Sequence, residues 1–174
     1  MLRPFCFALC VLSLVACGGP SNRAPAHPSQ SPGTQSGDTR QINIANREEV
    51  EANIRDLLGQ ANAQFAPGGG AIPGFSDMLA TIQPGTDLQS PVELKAGTPY
   101  SFFGVCDVDC SNVDLELLNG TTGEVVGADL LDDDYPVVNF TPPADARFFV
   151  RVILRSCTQS PCYVGVRGQK LATN

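Results

Sequence analysis

Apolar and polar residues follow two different periods after residue 41. Between Asn46 and Phe65 the apolar residues recur at helical spacing, opposite a mixed, acidic polar face. These apolar residues are Val50, Ile54, Leu57, Leu58, Ala61 and Phe65. The spacing predicts one amphipathic helix within residues 42–67, with Asn46 as its N-cap and Pro67 just beyond its end. Because lipid-binding helices have a basic polar face, we expect this helix to pack on the sheet that follows, and binding to a membrane surface or a partner is the alternative.

From Phe75 onward, apolar and polar residues alternate with a period of two in short segments separated by turns. The predicted strands are residues 76–83, 91–96, 99–105, 113–118, 123–127, 136–141, 147–154 and 162–167. Glycines 68–70 are interpreted as a flexible connector, and Asn119-Gly120 as a tight hairpin with positive φ. The pattern predicts a mainly β protein, an antiparallel two-sheet sandwich of jelly-roll-like topology over residues 75–168, with residues 169–174 as a C-terminal tail.

Four segments of these predicted strands resemble the bacterial pre-peptidase C-terminal domain. They are VELKAGTPYSF at 92–102, VDLEL at 113–117, ARFFVRV at 146–152 and YVGV at 163–166. That family is a small β-sandwich accessory module, found mainly at the ends of secreted peptidases and on other exported proteins. The resemblance covers about residues 90–168 and implies a β-sandwich in an exported protein. It implies no catalytic residue, because no peptidase domain accompanies the module here, and neither cysteine pair belongs to the general family pattern.

The first 41 residues predict export and attachment to a membrane. Residues 1–16 combine Arg3 with an apolar run shorter than the ~20 residues that span a bilayer, which is typical of a signal peptide. The run ends in Leu14-Val15-Ala16-Cys17, which resembles the bacterial lipobox and predicts lipidation of Cys17. Gly18 resembles the class that is sent to the outer membrane. An ordinary signal peptide with a nearby cysteine is the alternative. Residues 17–41 are rich in Pro, Ser, Gly and Gln and predict a disordered tether that includes His27.

Charge and cysteine content restrict the classes of function. The net charge of −7, with 11 Lys and Arg dispersed along the chain, argues against binding of nucleic acid. Of seven cysteines, two leave with the signal peptide and one carries the lipid. The remaining four are predicted to form the local disulfides Cys106–Cys110 and Cys157–Cys162, as suits an oxidising compartment. A structural zinc site formed by these four thiolates is the alternative.

The predicted function is that of a lipid-anchored cell-envelope protein with a non-catalytic interaction or accessory module. No histidine lies in the predicted folded part, which argues against the common nucleophilic enzymes, and we predict no catalytic residue and no cofactor. The partner would be an envelope protein or a glycan. The alternative is a calcium-dependent binding module for a glycan or protein, and a hydrolase with an acidic dyad is the third hypothesis. The candidate calcium ligands are Asp107, Asp109, Asp114, Asp132, Asp133 and Asp134.

Overall fold

The computed structural model describes residues 44–172, with side chains from Arg47 onward. Within them, helix α1 spans Ile44–Phe65 and is followed by nine strands. The strands are β1 (Gly70–Ala71), β2 (Met78–Ile82), β3 (Asp87–Leu94), β4 (Tyr100–Cys106), β5 (Cys110–Asn119), β6 (Val125–Asp129), β7 (Val137–Phe140), β8 (Ala146–Cys157) and β9 (Cys162–Lys170). The predicted signal peptide, the tether with His27 and the lipidated Cys17 lie outside the described residues.

The strands form two antiparallel sheets that face each other. In the first sheet the order is β2-β9-β4-β7, and β1 pairs beside β2 with the same strand β9. In the second sheet the order is β3-β8-β5-β6. From β2 to β9 every connection crosses between the sheets, except the β5–β6 hairpin. These orders are those of a jelly roll, so the predicted sandwich and its topology are confirmed.

Several predicted boundaries need correction. The helix begins at Ile44, so Asn46 lies inside its first turn and is not the N-cap. Gly70 belongs to β1 and pairs with Lys170, so the predicted flexible connector is partly strand and β9 extends into the predicted C-terminal tail. A two-residue strand carries no periodic signal, and its pairing joins residues a hundred positions apart in sequence.

The β5–β6 turn also differs from its prediction. Gly123 has the positive φ of +74°, and the Asn119 side chain accepts hydrogen bonds from the amides of Thr121 and Thr122. Gly120 is needed for another reason, because a Cβ there would lie 2.5 Å from the carbonyl oxygen of Arg147. The positive φ therefore lies at Gly123, and the turn is longer than the tight hairpin predicted at Asn119-Gly120.

Two apolar clusters hold the fold together. The larger cluster fills the space between the two sheets with alternate side chains such as Leu115, Val152 and Phe102. The smaller cluster lies on the outer face of the first sheet, where Ile54 and Leu58 of α1 contact buried strand residues. Helix α1 therefore packs on the sheet, as predicted, and strand β4 is buried on both faces.

Helix α1 lies alongside β9 and points in the same direction. Near its beginning, hydrogen bonding to Glu51 and the neighbouring Tyr163 side chain raise the pKa of Arg47 above its ordinary value. Further along, Ile54 lies against Gly165, and just after the helix ends Ala66 lies against Gly69, next to the final residue of β9. The beginning of α1 is thus at the end of the sandwich where β9 begins.

Candidate interaction site

Four crossover loops lie side by side at the end of the sandwich where β9 begins. The matching strand orders of the two sheets place them in the sequence β2–β3, β8–β9, β4–β5, β6–β7. We call this end the loop end. The β4–β5 loop lies between the β8–β9 and β6–β7 loops, so residues that are distant in sequence become neighbours here. Loops displayed by a rigid β-scaffold are frequent sites of binding.

Two disulfides link the sheets at the loop end. Cys106–Cys110 joins β4 of the first sheet to β5 of the second, with a Cα–Cα distance of 5.9 Å. Cys157–Cys162 joins β8 of the second sheet to β9 of the first, with a Cα–Cα distance of 6.1 Å. Both predicted pairings are confirmed. The sulfurs of each pair are bonded to each other as a disulfide, which differs from the alternative of four zinc-binding thiolates. Cys110 and Cys157 are also direct partners in the β5–β8 ladder, so the two bridges lie next to each other.

Hydrogen bonds join the two bridged loops. The amide of Thr158 donates to the Asp109 carbonyl at 2.7 Å. The amide of Asp107 donates to the Tyr163 carbonyl at 3.0 Å, and the Tyr163 amide donates back to the Asp107 carboxylate at 3.1 Å. Asp107 is buried, so this carboxylate is part of the loop's internal structure. The Cys106–Cys110 disulfide and these three hydrogen bonds to the neighbouring bridged loop therefore hold the short β4–β5 loop in one shape.

Val108 stands at the tip of this loop with 93% of its surface exposed. Next to it, the β6–β7 loop exposes Leu131 by 66% and Leu130 by 55%. In residues 47–172 the exposed large hydrophobic side chains are Val108, Val125, Val126, Leu130, Leu131 and Tyr135. All of them lie in β6, in the β6–β7 loop or in the adjacent β4–β5 loop. We call the four in the two loops, Val108, Leu130, Leu131 and Tyr135, the apolar corner, and Val125 and Val126 lie further back along β6.

The structure distributes the predicted calcium ligands among different partners. Asp114 is buried and accepts a hydrogen bond from Arg155 at 2.5 Å. Asp132 accepts from the Asn112 amide group at 2.6 Å, and Asp133 accepts from the backbone amide of Tyr135 at 3.1 Å. Asp134 is half-buried in the same loop.

Among residues 44–172, no three acidic, histidine or cysteine side chains are grouped so that they could hold a metal ion. The structure therefore brings Asp132, Asp133 and Asp134 together in one loop and places Asp107 and Asp109 in the neighbouring loop, but it does not arrange them as a metal centre. Calcium binding stays a prediction.

The outer face of the second sheet carries paired charges. Arg151 and Glu116 are direct cross-strand partners, and the guanidinium donates to the carboxylate through two nitrogens. Arg147 pairs in the same way with Glu93 at 2.6 Å. These cross-strand pairs are typical of a sheet face that is stabilised by its own ion pairs.

The apolar corner was not among the predicted site residues. Leu130-Leu131 lies between two predicted strands and directly before three aspartates, where turn residues would be polar. That misplaced apolar pair is the one signal in the sequence that could have indicated it. The exposure of Val108 has no such signal, because valine between two aspartates also fits an alternating strand pattern.

Comparison with known proteins does not assign the chain to a family: no family model matches it, and no curated protein matches it. The resemblance to the pre-peptidase C-terminal domain therefore stays a prediction. Within the described part of the chain, no helix has the length and apolar character needed to cross a bilayer.

Proposed function

We propose that this chain is a lipid-anchored cell-envelope protein whose β-sandwich is a non-catalytic interaction module, with the apolar corner as its contact surface. The observation that supports this most directly is that all six exposed large hydrophobic side chains among residues 47–172 lie in β6, in the β6–β7 loop or in the adjacent β4–β5 loop, four of them in the two loops. Scattered exposed apolar residues are normal on protein surfaces, whereas a contiguous group is characteristic of a binding site.

The physical argument concerns what the exposed side chains gain on binding. Complete burial of a valine or leucine side chain contributes about 1.5–3 kcal/mol. Val108 gains nothing from the fold, since only 7% of its surface is covered, yet the Cys106–Cys110 bridge holds its loop in one shape. A rigid loop loses little conformational entropy when a partner binds, so more of the burial energy is available for affinity.

The disulfides support the proposed compartment. Disulfides persist in oxidising surroundings such as the bacterial periplasm, and two are present here. An accessory role, which the resemblance to the pre-peptidase C-terminal domain implies, agrees with this setting.

A photo-crosslinking amino acid at position 108 of the full-length protein tests the contact surface in living cells. The matched control is the same amino acid at Thr122, which is exposed in the β5–β6 turn at the opposite end. We expect a discrete adduct from position 108 and none from position 122. Equal labelling from both positions, or no adduct from position 108, would refute the assignment of the apolar corner.

The anchor is tested separately by Cys17→Ser. We expect this variant to leave the membrane fraction or to accumulate as an unprocessed precursor, while the parent protein sediments with membranes. Unchanged, processed and membrane-bound protein would exclude lipidation at Cys17. Since the two tests address different residues, either part of the proposal can fail alone.

A further inference from the structure

The β6–β7 loop, which lies beside the β4–β5 loop that exposes Val108, carries charge of one sign. Asp132, Asp133 and Asp134 directly follow Leu131. The sequence contains no lysine or arginine between Lys95 and Arg147, a segment that includes both of these loops and β6. Arg155 is near the loop end, but it is hydrogen bonded to Asp114. Leu130 and Leu131 are therefore followed by three carboxylates, and the uncharged amides of Asn112 and Tyr135 donate the hydrogen bonds to Asp132 and Asp133.

The backbone beside the apolar corner is also available for binding. Strand β6 is at the edge of the second sheet and, within the described residues, pairs only with β5. Its exposed Val125 and Val126 lie along this edge. An edge strand presents amide and carbonyl groups that a further extended segment can satisfy by hydrogen bonding.

On these two observations, and resting on the proposed function, we propose that the apolar corner docks a polypeptide segment that carries both apolar and basic side chains. The apolar side chains cover Val108, Leu130 and Leu131, the lysines or arginines lie against the aspartates, and the backbone pairs along the edge of β6. Charge complementarity of this kind accelerates association and selects the partner.

Three other occupants fit the corner less well. A second copy of the chain would bring the same carboxylates face to face. A bilayer surface carries anionic lipids, and proteins that bind it use basic residues, which the corner lacks. The chain's own segment at residues 18–41 has no aliphatic side chain larger than alanine, so its sequence lacks the apolar component of the proposed partner.

The test uses the full-length protein in nanodiscs of phosphatidylcholine, with empty nanodiscs as the reference. Three synthetic peptides of equal length serve as probes: alternating leucine and lysine, alternating leucine and glutamate, and alternating serine and lysine. We expect the leucine–lysine peptide to bind at least tenfold more tightly than either of the others. Its affinity should fall when the salt concentration is raised, because exposed charges are screened.

Two double variants separate the apolar and the electrostatic contributions. Val108→Ser with Leu131→Ser should lower the affinity at every salt concentration. Asp132→Asn with Asp134→Asn should lower it at low salt and flatten the salt dependence. Thermal melts check that each variant is folded, and Thr122→Ala serves as a surface control that should bind like the parent protein.

The inference is overturned if the leucine–glutamate peptide binds as well as the leucine–lysine peptide, if none of the peptides binds, or if the corner variants bind unchanged. Binding of the corner to vesicles containing phosphatidylglycerol, in the absence of peptide, would assign a membrane surface and overturn it as well. Dimerisation that the serine variants abolish would assign a second copy instead. If position 108 gives an adduct but the peptide test fails in any of these ways, the proposed function stands. Only the proposed apolar and basic character of the partner is then rejected.

Discussion

Replacement of Gly165 by alanine tests how tightly helix α1 is packed on the first sheet. Gly165 is in β9 and faces the helix, and a Cβ built on it would lie 2.4 Å from Cγ2 of Ile54 and 3.1 Å from Cδ1 of Leu58. The first distance is shorter than any ordinary carbon–carbon contact, and both helix side chains are fully buried. The added methyl group can therefore be accommodated only if the helix or its side chains move.

Two effects of opposite sign set the magnitude. Replacing glycine by alanine in a regular element stabilises by roughly 0.5–1 kcal/mol because the unfolded chain loses freedom. Overpacking of a well-packed core costs about 1–3 kcal/mol. We expect the clash to dominate and the free energy of unfolding of Gly165→Ala to fall by about 1–2 kcal/mol, measured by urea denaturation of the full-length protein followed by circular dichroism.

Gly59→Ala is the matched control. Gly59 lies on the exposed side of the same helix, and a Cβ there would have no atom within 4 Å. Because alanine has the higher helix propensity, this variant should be more stable than the parent by roughly 0.5–1 kcal/mol. The same chemical change thus has opposite effects inside the contact between α1 and β9, at Gly165, and outside it, at Gly59.

A double-mutant cycle identifies the clashing partner. Ile54→Ala alone should cost about 2–5 kcal/mol, as expected for truncation of a buried isoleucine. Combined with Gly165→Ala it should cost less than the sum, because the new methyl group occupies space that the isoleucine leaves, with a coupling of about 1 kcal/mol. Strict additivity, or a Gly165→Ala variant as stable as the parent, would refute the close packing of α1 on β9.

Three further predictions concern the loops. Replacement of Cys106 and Cys110 by serine should lower the free energy of unfolding by about 2 kcal/mol, the effect of closing so short a loop, and an unchanged denaturation midpoint would contradict it. The Lys95 ammonium and the Ala96 amide lower the pKa of Asp145, so their stabilising contribution is present above the carboxyl's unfolded pKa and is lost as the pH falls through the folded one. The contact should therefore slow hydrogen exchange of the Ala96 amide only at pH values above the folded pKa of Asp145. Asp145→Asn should remove this pH-dependent protection. A thermal melt in millimolar calcium against excess chelator should show no shift, because the described residues form no metal group; a higher midpoint in calcium would support the calcium hypothesis.

Local patterns in the sequence predicted much of this protein. Each of the eight predicted strands overlaps one of β2 to β9, because alternation of buried and exposed side chains is a property of consecutive residues. The helix followed from its own spacing in the same way. The disulfides could also be predicted, since cysteines four and five positions apart can meet within a single loop.

Pairing between distant residues could not be predicted in the same way. Strand β1 exists only because Gly70 meets Lys170, and Asp114 is neutralised by Arg155, which is 41 positions away. The sequence suggested Asp114 as a calcium ligand because it follows soon after Asp107 and Asp109 in the chain. The cross-strand partner that occupies this carboxylate depends on the register of β5 against β8.

The apolar corner depends entirely on the tertiary structure. Val108 and Leu131 are 23 positions apart, and each alone is an unremarkable loop residue. Their crossover loops lie side by side because β4 lies beside β7 in one sheet and β5 lies beside β6 in the other. A local pattern records which face of a strand each side chain occupies, whereas the order of strands in a sheet is set by contacts between distant segments. The sequence by itself therefore determined the helix and the strands, and the jelly-roll assembly determined which loops share a surface.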